Sequence, residues 1–82
     1  MYDWHMVQAY VLIQTHSGRA SEVAAAIGKI DGVTSSEAVT GPYDVVVSAT
    51  ADDVDALGQL VVTKIQPVDG IDRTLTCPVI RI

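Results

Sequence analysis

The sequence predicts an α+β domain with the element order β-α-β-β-α-β, and three observations predict it. Residues 9–13 and 45–47 are apolar at every position and rich in β-branched side chains, as expected of strands covered on both faces. Each run is followed by a segment whose apolar residues recur at helical spacing. A short echo, Ile30-Asp31-Gly32-Val33 and Val68-Asp69-Gly70-Ile71, leads both times from a helical segment into a strand, so the chain reads as two βαβ halves.

The first strand runs from Gln8 to Thr15 and is bounded by His16-Ser17-Gly18. Ser17 is the expected N-cap of the first helix. In that helix Ala20, Val23, Ala24 and Ile27 form the buried stripe, while Arg19, Glu22 and Lys29 lie towards the other side. Asp31-Gly32 is the expected end, because glycine accepts the backbone conformation that follows a helix. Val33 to Thr40 is polar enough for a sheet edge, and Gly41-Pro42-Tyr43 breaks it.

Asp44 to Thr50 is the second apolar strand. Thr50 and Asp53 stand at capping-box spacing before the second helix, and Asp52, Asp53 and Asp55 complement its N-terminal dipole. Its expected buried stripe is Val54, Leu57, Val61 and Ile65, and Pro67 ends it. Gly70 to Ile82 supplies the last strand, where Pro78 is tolerated only at an edge. Placing the two most apolar strands in the centre gives a ferredoxin-like fold: an antiparallel four-stranded sheet of order 4-1-3-2 with both helices on one face. The other face then stays apolar and calls for a partner. Residues 1–7 read as an N-terminal extension and residues 8–82 as a single domain for ligand binding and oligomerisation.

Composition narrows the function. The chain has 82 residues, 49% of them hydrophobic, and a mean hydropathy of +0.32. That is more apolar material than one small core readily hides, so a homo-oligomer is expected. The net charge is −5, and the five basic residues are scattered singly. Phosphate backbones require clustered positive charge, so direct nucleic-acid binding is disfavoured. No apolar run approaches the ~20 residues of a membrane-spanning helix, and no leader pattern opens the chain. A cytoplasmic protein without membrane attachment is the expectation.

Catalytic and metal chemistry find little support. Cys77 is the only cysteine and has no neighbouring His or Lys in sequence, so it reads as a packed thiol. His5 and His16 lack partners at metal spacing, and His16 reads as a solvated loop residue. The three aspartates at 52, 53 and 55 are explained by the helix end. No metal, cofactor or catalytic residue is expected.

The segment that carries most information is Thr40-Gly41-Pro42-Tyr43-Asp44. Here the chain resembles the Lrp/AsnC ligand-binding (RAM) domain, whose β2–β3 hairpin has a Thr/Ser-Gly-x-Tyr-Asp pattern. The resemblance continues through Val45-Val46-Val47 and the second helix into Arg73-Thr74-Leu75-Thr76, and so covers nearly all of residues 8–82. Family members with a helix-turn-helix carry it before this domain, and the chain looks like a stand-alone member. The resemblance implies an oligomeric sensor of an amino acid or related small molecule, modulating transcription by co-assembly with a DNA-binding relative. It implies a dimer that assembles further, to an octamer or decamer, with the effector between dimers. The implied binding residues are Thr40, Gly41, Tyr43 and Asp44 in the hairpin, with Thr74 and Thr76 from the last strand. Pro42 departs from the polar residue expected in the turn, removing one N–H donor.

Plainer readings stand beside these. Gly41-Pro42 also suits a simple tight turn, with Asp44 bonded to backbone N–H groups, and threonines such as Thr74 and Thr76 are common in strands. The main alternative function is a small ferredoxin-like dimeric enzyme of the cofactorless monooxygenase or isomerase type. Such an enzyme needs a reactive residue in a pocket, and the sequence offers none. An ACT-like amino-acid-binding module shares the topology but is usually fused to an enzyme.

Overall fold

The computed structural model describes residues 6–80 and contains the expected elements in the expected order. These are β1 (Val7–Thr15), α1 (Ala20–Gly28), β2 (Val33–Ala38), β3 (Val45–Ala51), α2 (Val54–Leu60) continued by a π-helical turn (Val61–Ile65), and β4 (Ile71–Pro78). The sheet order is β2-β3-β1-β4, antiparallel throughout, which is the predicted 4-1-3-2 arrangement. The central pair is the apolar pair.

Alternation along the strands sorts the side chains. Ala9, Val11 and Ile13 on β1 and Val45, Val47 and Ala49 on β3 are fully buried, and the valines and Ile13 form one core with Val23, Ala24 and Ile27 of α1 and Val61 and Ile65 of the second helical segment. Full burial of Ile13, Ile27 or Ile65 stabilises by about 1.5–3 kcal/mol each. The intervening residues Tyr10 and Leu12 face the other way, opposite Ser48 and Val46 on β3 and Cys77 and Leu75 on β4. Among the described residues this face is only partly covered: Ser48 is 8% exposed, but Tyr10 is 45% and Leu75 47% exposed.

The echo between the halves has a structural counterpart. The Gly32 carbonyl accepts from the Thr50 N–H at 2.8 Å, and the Gly70 carbonyl accepts from the His16 N–H at 2.9 Å. Each bond ties the start of an edge strand to the end of a central one. Pro78 sits on β4, an edge strand.

Several local expectations are corrected. Ser17 does not cap α1: the Arg19 N–H closes a turn on the His16 carbonyl at 3.1 Å, and the helix enters after Arg19, which makes no side-chain cap. The helix also ends earlier, at Gly28, where the Lys29 N–H bonds back to Ala26 and Ile27, and Asp31-Gly32 shapes the following turn instead. Thr50 lies within β3, held there by strand pairing up to Val7↔Ala51, so no capping box forms. Asp53 is the N-cap, its carboxylate accepting from the Ala56 N–H at 2.7 Å.

Val54 is 69% exposed rather than part of the buried stripe. Leu57, Val61 and Ile65 do form that stripe, and the π turn explains how. A four-residue step in an α-helix overshoots one revolution by about 40°. The wider π turn takes more residues per revolution, so Ile65 returns to the face that Leu57 started. Cys77 is exposed on the open sheet face, not packed, because β4 turns its odd-numbered side chains that way. The last strand stops at Pro78, and β2 at Ala38; residues 81–82 of the expected strand and 1–5 of the expected extension lie outside the described residues.

Candidate functional site

The β2–β3 connection is closed by the Val39 N–H donating to the Asp44 carbonyl at 2.8 Å, leaving residues 40–43 as the turn. Gly41 has φ +126, a conformation open to glycine and strained for other residues, and a Cβ built there meets nothing within 4 Å. The turn tip therefore faces open space. Thr40, Gly41 and Pro42 are exposed, while Tyr43 and Asp44 are half-buried where the turn meets the sheet.

Three hydrogen bonds fasten this turn to the end of β1. The Asp44 N–H donates to the Ile13 carbonyl at 2.8 Å. The Thr15 N–H donates to Asp44 Oδ2 at 2.8 Å. The Gln14 side-chain Nε2 donates to the Pro42 carbonyl at 3.0 Å. Pairing between β1 and β4 shifts register between Gln14 and Thr15, while the Thr15 N–H lies on the β3 side of β1, as the Ile13 carbonyl does, and so meets Asp44. The carboxylate is thus fixed through one oxygen, while Oδ1 has no hydrogen-bond partner among the described residues. A carboxylate held this way is an anionic acceptor with one lone-pair edge still available.

Thr74 and Thr76 belong to a separate place. They pair with Ile13 and Val11 across β1 and share the helix-facing side of the sheet. Thr74 Oγ1 accepts from Gln66 Nε2 at 3.1 Å, and Thr74 lines a shallow cavity of about 240 Å³ with Gln66, Ile71, Asp72 and Arg73. The backbones of β3 and β4 flank β1, so Asp44 and Thr74 stand about two strand spacings, or 9–10 Å, apart, and the turn tip lies farther off. One chain brings Thr40, Gly41, Tyr43 and Asp44 together, and keeps Thr74 and Thr76 together, but does not join the two sets.

Gln14, Thr15 and Gln66 were not anticipated. The available signal was the abrupt change from apolar to polar at Gln14-Thr15 and a lone polar residue before Pro67. Another cavity, of about 580 Å³, lies on the outer side of α2 and is lined by Val54, Gly58 and Val62 among others, away from the turn. Among the described residues, no three His, Cys, Asp or Glu side chains are grouped so as to hold a metal ion, and no helix is long and apolar enough to cross a membrane.

A ferredoxin-like sheet with helices on one face and a glycine-aspartate turn braced at one end defines a small α+β module built around a hairpin, of the kind found in regulatory ligand-binding domains. The chain belongs to the Lrp/AsnC ligand-binding domain family, whose model matches residues 8–82. It is 34% identical over 71 residues to a helix-turn-helix-type transcriptional regulator of Pyrococcus furiosus, the match covering 83% of this chain and 47% of that protein. The chain thus spans about half the length of that curated relative. Among solved structures it resembles TTHA0845 of Thermus thermophilus, with a TM-score of 0.86, 33% identity, and coverage of 93% of this chain and 95% of the other. It also resembles a transcriptional regulator of Neisseria meningitidis solved in complex with L-methionine, with a TM-score of 0.79, 25% identity, and coverage of 92% of this chain and 50% of that one.

Proposed function

We propose that this protein is an effector-binding regulatory module, not an enzyme, that takes a free α-amino acid or a close relative at the β2–β3 turn. The observation that carries the reading is the Asp44 carboxylate, fixed by the Thr15 N–H through one oxygen and unengaged at the other, beside an exposed glycine turn. An α-amino acid presents an ammonium and a carboxylate close together. Asp44 receives the ammonium, and backbone N–H groups around Gly41 receive the carboxylate. The methionine complex of the neisserial regulator supports this class of ligand.

The open sheet face supports assembly. Tyr10, Leu12, Val46 and Leu75 project from it, and a second copy packed there removes their apolar surface from water. Further assembly brings Thr74 and Thr76 of another copy to the turn and completes a site that one chain leaves divided. In this reading the module works in the cytoplasm, binds no nucleic acid itself, and acts on transcription by co-assembling with a DNA-binding relative.

The test is calorimetry of the wild type and Asp44→Asn against a panel of amino acids. Asn keeps an acceptor for the Thr15 N–H but loses the charge, so the fold persists. A hydrogen bond to a charged group contributes about 1.5–3 kcal/mol, so affinity should fall about 10- to 150-fold. Equal affinity in the two proteins, or no amino acid bound by the wild type, defeats the reading.

A further inference from the structure

We propose that Gln14 is a positioning residue for the effector turn, acting on it from the open face of the sheet; this rests on the reading of the turn as the amino-acid site. Gln14 follows Tyr10 and Leu12 in the row of β1 side chains that alternate away from the buried Ala9, Val11 and Ile13. It is the last residue of β1 before the register shift, and it stands opposite Arg73 on β4. Its side chain leaves the row and donates to the Pro42 carbonyl, 28 residues on in sequence.

Pro42 makes this bond matter. It has no N–H to donate, so its carbonyl is the backbone group through which the turn's third residue can be held. The other two ties both end on Asp44, at the base of the turn. Without the Gln14 amide the tip, residues 40–42, keeps only the Val39–Asp44 closure and swings about Gly41, where the backbone is least constrained. The N–H groups offered to a ligand carboxylate then lose their fixed direction. Orientation lost before binding is recovered at the expense of affinity. Because Gln14 shares a face with Tyr10 and Leu12, whatever covers that face also meets the residue that aims the turn.

The experiment compares wild type with Gln14→Met, which keeps length and removes the donor, and Gln14→Lys, which restores a donor. Gln8→Met makes the same chemical change on the same face, at the far end of β1. Amino-acid affinity, assembly mass and amide hydrogen exchange are measured on each protein. The expected result for Gln14→Met is an affinity about 2- to 10-fold weaker, faster exchange in the 39–44 turn, and unchanged mass. Gln14→Lys should recover both readouts, and Gln8→Met should alter neither. Unchanged exchange in the turn of Gln14→Met overturns the proposal whether or not a ligand is known. An affinity that falls only in step with a loss of assembly mass also overturns it. If the wild type binds no amino acid, the underlying site reading fails, and the exchange data alone decide whether Gln14 fixes the turn.

Discussion

Gly70→Ala is the perturbation whose consequence the structure specifies most closely. Gly70 is buried at the junction between the second helical segment and β4, with φ +102, and its carbonyl accepts from the His16 N–H. A Cβ placed there falls 2.9 Å from Val23 Cγ2 and 3.3 Å from Arg19 Cζ and Nη2. Arg19 can move, since its guanidinium lies at the surface in ion pairs with Asp69 and Glu22. Val23 cannot, because it is fully buried in the core.

Two costs therefore add: about 1–3 kcal/mol for a non-glycine residue at that φ and about 1–3 kcal/mol for overpacking against Val23. Gly41→Ala isolates the first cost, as its Cβ meets nothing. Gly70→Ala should lower Tm by about 8–48 °C, taking the summed cost at 4–8 °C per kcal/mol for a domain of this size, and Gly41→Ala by clearly less. Thermal and urea unfolding at matched protein concentration, with m-values checked for equality, measure both. If the two variants lose the same stability, the packing argument at Gly70 is wrong.

Asp53→Ala should cost about 0.5–2 kcal/mol because it removes the cap on the Ala56 N–H, whereas Ser17→Ala should be close to neutral; urea unfolding distinguishes them. Leu12→Lys places a charge at the centre of the open sheet face and should reduce the mass seen by light scattering while circular dichroism stays native. The Arg19 guanidinium, by hydrogen bond and then by charge, holds the Asp69 carboxyl below its ordinary value. A lowered native pKa contributes stability above the unfolded carboxylate value, near pH 4, and loses it as pH falls through the native value. Tm measured from pH 6 to 2.5 should therefore fall slightly more for wild type than for Asp69→Asn, and 1 M salt should shrink the difference, since the pair is solvent-exposed.

The fold was legible because its evidence is local and redundant. Two continuous apolar strands, two helical stripes and two Asp-Gly turns point to the same topology, and central placement of β1 and β3 follows from which strands have two faces to hide. Boundaries were less legible because neighbouring residues compete for the same role. Thr50 and Asp53 both cap helices well, and the choice falls to Asp53 only because Ala51 still pairs with Val7. Nothing local announces that pairing. The π turn is similar, since Val61 and Ile65 fit an ordinary helical stripe and the widened turn shows only in the Gln66 N–H bonding back to Val61. At the candidate site, Gly41 and Asp44 were visible as chemistry, but the tie from Asp44 to Thr15 joins residues 29 apart, and no pattern in either segment encodes it.

The last three residues of β1 are where the parts of this domain meet. Ile13 contributes its side chain to the core and its carbonyl to the Asp44 N–H; Gln14 belongs to the open face and reaches Pro42; Thr15 gives its N–H to the Asp44 carboxylate. Core, open sheet face and turn are thus joined within three consecutive residues, over no more than about 10 Å of strand. Contacts that share a partner couple, and here two of the three ties converge on Asp44. On the proposed reading a change at Asp44 therefore reaches ligand charge and turn anchorage at once, while a change at Gln14 reaches the turn tip and the open face but not the ligand charge. This asymmetry is why Asp44→Asn, which spares the Thr15 bond, is a cleaner probe of binding than Asp44→Ala, and why binding and stability must be measured on the same variants before either is assigned to a residue.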